Sequence, residues 1–215
     1  LINPRAVDWV RAHGAALVTG VTEETRAGVR FIIEEIVSGQ MGDVRRGARA
    51  LRDVVGLTER QAQAVGNFRQ RLFGEGAPLD KIEARVERYA EAQLRLRAST
   101  IARSETLRAE NQGQQALWEE AAKQGLLDPD TAVRVWSTTD APCLEICEPM
   151  DEQEAGLDEP FMTGEGESVM TPPAHPACRC GLYLEPNRGG KAASLLDKGK
   201  GALEGLRAGA PGAPG

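Results

Sequence analysis

The sequence predicts an α+β protein, in which an N-terminal helical region is followed by a small β-containing Cys/His module and then by a flexible C-terminal tail. Up to about residue 123, apolar residues recur three or four positions apart, which is the spacing of a helix face. The segments 133–139 and 180–185 instead alternate like strands. Charge divides the chain at the same place: residues 1–123 carry 19 Lys and Arg against 17 Asp and Glu, whereas residues 124–186 carry 2 against 13.

Capping signals divide the helical region into separate helices. Thr22 and Thr58 each precede an apolar periodic run, and both are predicted to be N-caps. Gly39 and Gly56 are predicted to end helices. The cluster of Gly and Pro at residues 74–78 is the clearest break in the helical region.

The longest helical pattern starts at Leu79 and runs to about Gln124, with Gly113 as a possible interruption and Gly125 as its end. The acidic stretch after it is rich in proline and too polar to bury much apolar surface. These changes in composition and apolar pattern predict three segments. They are a helical region at 1–78, a domain at 79–186 that joins the long helix to the β module, and a flexible tail rich in Gly and Ala at 187–215.

Composition narrows the class of protein. No run approaches the roughly 18 consecutive apolar residues of a membrane span, and the N-terminus has no charged-then-apolar signal segment. Four cysteines in an acidic chain of this kind indicate reduced thiols, so we expect a soluble intracellular protein. The chain begins with Leu1 rather than Met, as expected of a fragment of a longer protein.

All four cysteines and one of the two histidines fall in two short clusters, Cys143-x3-Cys147 and His175-x2-Cys178-x-Cys180. Thiolates and imidazole on two tight turns that flank a loop are typical of a structural zinc site. Four of the five residues are expected to bind the ion. Cys180 is the expected spectator because it begins a predicted strand. Buried thiols that pack as small apolar groups are an alternative, as are disulfides.

Several motifs follow one another in the order of a known family. Residues 100–113 read TIARSETLRAENQG, Trp118 and the segment VWSTTD at 135–140 follow, and residues 172–180 read PPAHPACRC. This order resembles the phage head-morphogenesis, or minor capsid, family typified by the F protein of phage Mu, over about residues 80–185. One departure is visible: the first pair is Cys-x3-Cys, where the family more often has Cys-x2-Cys followed by Leu-Asp-Gly. Here Met150-Asp151-Glu152 stands in that place, so the turn after Cys147 lacks its glycine.

The resemblance implies a structural, non-enzymatic protein of the virion. Such a minor head protein would be made in the cytoplasm of the bacterial host and would act in head morphogenesis, in the capsid interior or at the portal. Its implied partners are the portal protein, the major capsid protein or both, with no membrane and no small-molecule substrate. Contact with packaged DNA and ejection with the genome are left open. The helical region is expected to make the main contact with portal or capsid protein.

Other interpretations stay open on particular residues. Glu165 and Glu167, with the Ser-Thr-Thr at 137–139, are faintly similar to elements of ADP-ribosyltransferases, and some relatives are fused to toxins, so an enzyme or a toxin-delivery module is the alternative. Glu105 is expected to be a partly buried carboxylate that joins the long helix to the β region, with its partner on another segment. A basic stripe on the long helix could contact DNA or could be an ordinary surface laced with salt bridges; its members are Lys81, Arg85, Arg88 and Arg95.

Overall fold

The structure is a computed structural model, and it describes residues 2–15, 18, 20–139 and 141–186. Its α-helices are α1 (Pro4–His13), α2 (Glu23–Val37), α3 (Val44–Val54), α4 (Glu59–Gly74) and α5 (Leu79–Lys123). Its strands are β1 (Val133–Ser137), β2 (Glu154–Ala155), β3 (Phe161–Met162), β4 (Ser168–Val169) and β5 (Gly181–Glu185), with a short 3-10 helix at Glu148–Met150. The predicted α+β class is therefore confirmed.

The chain divides into two compact units. The first consists of Leu1–Ala116 together with Thr171–Arg179, and the second consists of Leu117–Met170 together with the described residues from Cys180 onward. Each unit has an apolar core of its own. No helix in the described ranges is long and apolar enough to cross a membrane. The predicted tail at 187–215 lies outside the described residues.

The helices of the first unit begin and end where the capping signals predict. The Thr22 side chain accepts a hydrogen bond from the backbone N–H of Thr25. Thr58 forms a reciprocal capping box with Gln61, which satisfies two backbone N–H groups that have no partner inside the helix. Gly39, just after α2, has a φ of +77°, a conformation that suits glycine. Local sequence therefore sets these boundaries.

Small residues let the helices of the first unit pack closely. A Cβ added to Gly113 would lie 2.6 Å from the backbone nitrogen of Ala6, so α1 crosses α5 at this glycine. The possible interruption at Gly113 does not occur: α5 runs through it without a break. The main core joins α1, α2, α3 and α5, and its buried members are Val10, Ala15, Val18, Val29, Ile32, Ile33, Ile36, Leu51, Val55, Ala98, Ala102 and Ala109.

In the second unit, β1 is the central strand of a three-stranded antiparallel sheet with the order β2-β1-β5. The strands β3 and β4 form a separate hairpin. A small apolar core lies beside the sheet, where Leu127, Ala132 and Leu157 pack against Trp118 and Leu184. The predicted strands correspond to β1 and β5. The first ends two residues early because Thr138 leaves the sheet and binds the Asp151 carboxylate through its backbone N–H, at 2.9 Å, and its hydroxyl, at 2.7 Å.

Candidate functional site

The segment Thr171–Arg179, which carries His175 and Cys178, belongs to the first unit and is attached to α5 at two points. The Gln112 side-chain amide donates to the Thr171 hydroxyl at 2.9 Å. The backbone N–H of Ala177 donates to the Ser104 hydroxyl at 3.0 Å. The two ligand candidates themselves share a turn, in which the Cys178 N–H donates to the His175 carbonyl at 3.2 Å. One tight turn on a helix surface thus presents an imidazole and a thiol.

A backbone carbonyl lies beside the His175 ring. Its Nδ1 lies 2.8 Å from the carbonyl oxygen of Pro176. A carbonyl oxygen can only accept, so this contact is a hydrogen bond when Nδ1 carries the proton. In that tautomer of the neutral ring, Nε2 is the nitrogen whose lone pair could bind a metal ion. A ligand histidine that donates its other N–H to a backbone carbonyl is the usual arrangement around protein-bound metals.

The other cysteine pair lies on a turn in the second unit. The Cys143 carbonyl accepts hydrogen bonds from the N–H groups of Cys147, at 3.0 Å, and Glu148, at 2.9 Å. The turn of the β3–β4 hairpin packs directly on it, because Gly164 donates to the Ile146 carbonyl at 3.1 Å. A Cβ added to Gly164 would lie 2.0 Å from the Glu145 carbonyl oxygen, so this contact requires glycine.

The missing glycine after Cys147 is compensated by an unusual backbone. Glu152 occupies that position and has a φ of +58°, in the left-handed region that glycine adopts most readily. Two contacts hold it there: its N–H donates to the Trp136 carbonyl at 2.9 Å, and its carboxylate accepts from the Tyr183 hydroxyl at 3.2 Å. The turn is therefore formed with Glu152 at the position where the resemblance leads us to expect glycine.

Two of the five predicted ligands lie together in the first unit. The ligand atoms of His175 and Cys178 lie within 4.8 Å of each other, and imidazole and thiolate are both ligands that zinc accepts. The other three predicted ligands, Cys143, Cys147 and Cys180, belong to the second unit. All four cysteines are described, and none forms a disulfide.

Sequence reasoning missed Arg134, a fully buried residue of β1 in the second unit. Its Nε donates to the Gly156 carbonyl at 2.9 Å and its Nη1 to the Met170 carbonyl at 2.7 Å. Its Nη2 donates to the Glu159 carbonyl, and the guanidinium carbon lies 5.0 Å from the centre of the Phe161 ring. Burial lowers the pKa of Arg134, and the carboxylates of Glu119, Asp158 and Glu159 oppose this shift.

Comparison with known proteins identifies the family. The family described as "Phage Mu protein F like protein" matches residues 63–183, which is more than half of the chain. The chain belongs to this family. No match was found among curated proteins or among solved structures. As a Mu F-like protein, the chain is related to phage heads, and its family is one of structural head proteins.

In this Mu F-like chain, Glu105 joins α5 to the residues after α1. Glu105 is buried, as are Ala102 and Ala109 on the same helix. It accepts from the Ala15 N–H at 3.0 Å and from Arg108 Nη1 at 2.6 Å. The predicted link to the β region is therefore wrong. One partner does come from another segment, but the arginine lies three residues along the same helix, a spacing at which side chains meet.

The residues that are similar to elements of ADP-ribosyltransferases, Glu165, Glu167 and 137–139, lie on a hairpin turn and at the end of β1. Glu165 and Glu167 lie on the turn of the β3–β4 hairpin with both side chains exposed. The Glu167 N–H donates to the Thr163 hydroxyl at 3.0 Å, and Gly166 supplies the positive φ of the turn. Each Glu of this motif thus neighbours a glycine that the turn requires. The predicted Ser-Thr element is engaged through Thr138, which binds Asp151 and lowers the pKa of that carboxyl.

The predicted basic stripe on α5 is mostly occupied by local contacts. The guanidinium of Arg85 lies over the Phe68 ring at 5.9 Å from its centre. Arg88 donates to the Ala84 carbonyl at 3.1 Å. Arg95 pairs with Glu91 at 3.4 Å. These contacts favour the interpretation that the stripe is an ordinary exposed helix surface with local salt bridges, rather than a stripe that contacts DNA.

Proposed function

We propose that this chain is a structural minor head protein that acts in head assembly at or near the portal of a tailed phage or prophage. The observation that carries the proposal is the family match over residues 63–183. In this proposal, residues 79–186 are the head-morphogenesis domain, residues 1–78 form a helical docking region, and residues 187–215 are a tail. The protein is part of the virion and has no enzymatic activity.

Exposed apolar side chains support docking through the helical region. A soluble domain can tolerate single exposed apolar residues, but large ones are common where a protein partner binds. The helices within residues 1–78 carry three that are each at least one-third exposed: Phe31, Val54 and Phe73. The net charge of −11 on residues 124–186 would repel phosphates, so that segment is better suited to protein or solvent than to the genome.

Binding to purified portal protein and to purified major capsid protein tests this assignment. We expect Phe31→Glu and Phe73→Glu to weaken the interaction at least tenfold, because each places a charge in an apolar contact. Leu126→Glu is the matched control, since Leu126 is 78% exposed but belongs to the second unit. Wild-type protein that binds neither partner, or binding lost only in the control variant, would contradict the assignment.

We also propose that the two cysteine clusters hold one structural zinc ion, with four ligands drawn from Cys143, Cys147, His175, Cys178 and Cys180. The ligand atoms of His175 and Cys178, which lie within 4.8 Å of each other in the first unit, support this. When bound, the ion would keep the thiols deprotonated and would add its binding free energy to folding.

Metal analysis of the purified protein tests the zinc proposal. We expect one zinc ion per chain, and its loss in His175→Ala and Cys178→Ser. Cys143→Ser, Cys147→Ser and Cys180→Ser identify the other two ligands, because two of these three variants should release the ion. His13→Ala, at the other histidine of the chain, should retain it. Protein that refolds fully in the presence of a chelator and contains no zinc would refute the proposal.

A further inference from the structure

Among the residues that the structure describes, a groove in the first unit is lined by five arginines and no acidic residue. It has a volume of about 190 Å³ and lies between α3 and α5. We call it the arginine groove, and its charged members are Arg45, Arg49, Arg52, Arg95 and Arg103. In a chain with a net charge of −6, five cations around one small cavity are a local reversal of the overall charge.

The arginines form two facing rows along the groove. On α3 they lie at positions 45, 49 and 52, and on α5 at 95 and 103 with Ser99 between them. Residues four apart on a helix are separated by about 6 Å along its axis. The groove therefore presents guanidinium groups repeatedly along its length, which suits a linear polyanion better than a single small anion.

Carboxylates of the protein neutralise only part of this charge. Arg95 pairs with Glu91 at 3.4 Å, and Arg52 approaches Asp53 at 3.9 Å. Arg45 and Arg103 form no ion pair with any carboxylate in the described ranges. Holding several like charges together costs free energy, and a bound anion would recover that cost.

We propose that the arginine groove binds the phosphodiester backbone of double-stranded DNA. The planar guanidinium fork matches phosphate oxygens, and every cation in the groove is arginine rather than lysine. An acidic peptide could satisfy the same charges, but peptide docking relies on large buried anchors. The apolar lining here is limited to Val44, Ala48 and the aliphatic stems of the arginines. With no aromatic side chain and one hydroxyl in the lining, binding should be independent of base sequence.

This inference goes beyond the proposed head function, and it differs from the basic stripe predicted from the sequence. Of the stripe, only Arg95 lines the groove; the remaining cations come from α3 and from Arg103. The DNA-binding proposal and the proposed head function can be refuted independently. DNA binding is measured on the purified protein alone, whereas docking requires portal or capsid protein.

The test is the salt dependence of binding to a short fluorescent duplex of mixed sequence. If five phosphates are neutralised, the logarithm of the association constant should fall with the logarithm of salt concentration with a slope of about −4 to −5. Arg49→Ala and Arg103→Ala should each weaken binding to every duplex alike and reduce the steepness of the slope by about one. The same variants with Lys should keep the slope, since they keep the charge.

Two controls separate the groove from general basicity and from misfolding. Arg85→Ala and Arg88→Ala remove equal charge from α5 outside the groove and should leave the slope unchanged. Circular dichroism should show that all variants are folded, because the substituted side chains are exposed. Wild-type protein that binds poly-glutamate but not the duplex would overturn the proposal in favour of an acidic protein partner. Equal losses from the groove and control variants would overturn it as well.

Discussion

At the scale of single residues, Arg134 organises the second unit. Its guanidinium donates to carbonyls at 156, 159 and 170, and so ties two loops to the central strand of the sheet. Phe161 covers the guanidinium on one side and stacks edge-on against Trp136 at 5.3 Å. A buried guanidinium is stable only when its donors are satisfied, and backbone carbonyls meet that need here.

Replacing this residue should destabilise the protein. We expect Arg134→Met to lower the free energy of unfolding by at least about 2 kcal/mol, because hydrogen bonds to a charged group are each worth about 1.5–3 kcal/mol. Arg134→Lys should be intermediate, since an ammonium lacks the planar fork. Urea unfolding measures both. Lys123→Met, which removes an exposed charge from the same unit, should change the free energy by less than about 1 kcal/mol. Equal effects at positions 134 and 123 would contradict this role.

Residue-level features differ in how visible they are in the sequence. The sequence shows that Glu152 stands where the resemblance leads us to expect glycine. It does not show the positive φ of Glu152, which depends on hydrogen bonds to Trp136 and Tyr183. Arg134 reads as an outward polar position in an alternating strand. Nothing local indicates that loops 20 to 40 residues away fold over it, so its burial could not be predicted.

At the scale of elements, local chemistry explains what could be predicted. Thr22, Thr58 and Gly39 act on backbone groups within a few residues, so helix limits follow from short windows of sequence. The strands β2, β3 and β4 have two residues each. No alternation can be detected in two residues, so these strands depend on tertiary contacts and were missed.

Gly113 shows why a glycine inside a helix cannot be interpreted from the sequence alone. Without a partner helix it is a weak point, but with α1 against it the missing Cβ makes room for the Ala6 backbone. Gly66, inside α4, is the contrasting case because, apart from the neighbouring helix backbone, no described atom lies within 4 Å of the position of its Cβ. The same substitution should therefore have opposite effects at the two positions.

We expect Gly113→Ala to lower the free energy of unfolding by about 1–3 kcal/mol, because the backbone at 2.6 Å must move to admit a methyl group. Gly66→Ala should raise it by up to about 1 kcal/mol, through the higher helix propensity of alanine. Thermal unfolding of the two variants beside the wild type checks both signs. Stabilisation by alanine at both positions would show that α1 does not pack on Gly113.

At the scale of the whole molecule, the sequence predicts three consecutive segments. The two compact units of the structure instead each combine stretches that are far apart in the sequence. Thr171–Arg179 lies late in the sequence, yet it belongs to the first unit through its bonds to Ser104 and Gln112. Such long-range bonds leave no periodic signal in the sequence. The spacing of the cysteine and histidine pairs is visible in the sequence. That His175 and Cys178 belong to the first unit, and the other cysteines to the second, emerges only in the folded chain.

The central claim is that this member of the Mu F-like family is built into phage heads. The most direct measurement is quantitative mass spectrometry of heads assembled from the portal, scaffold and major capsid proteins encoded with this chain, purified by density gradient. The account predicts that the chain co-sediments with complete heads at a constant low copy number and is released only when the heads are disrupted. Heads of normal composition and yield from which the chain is absent would contradict it.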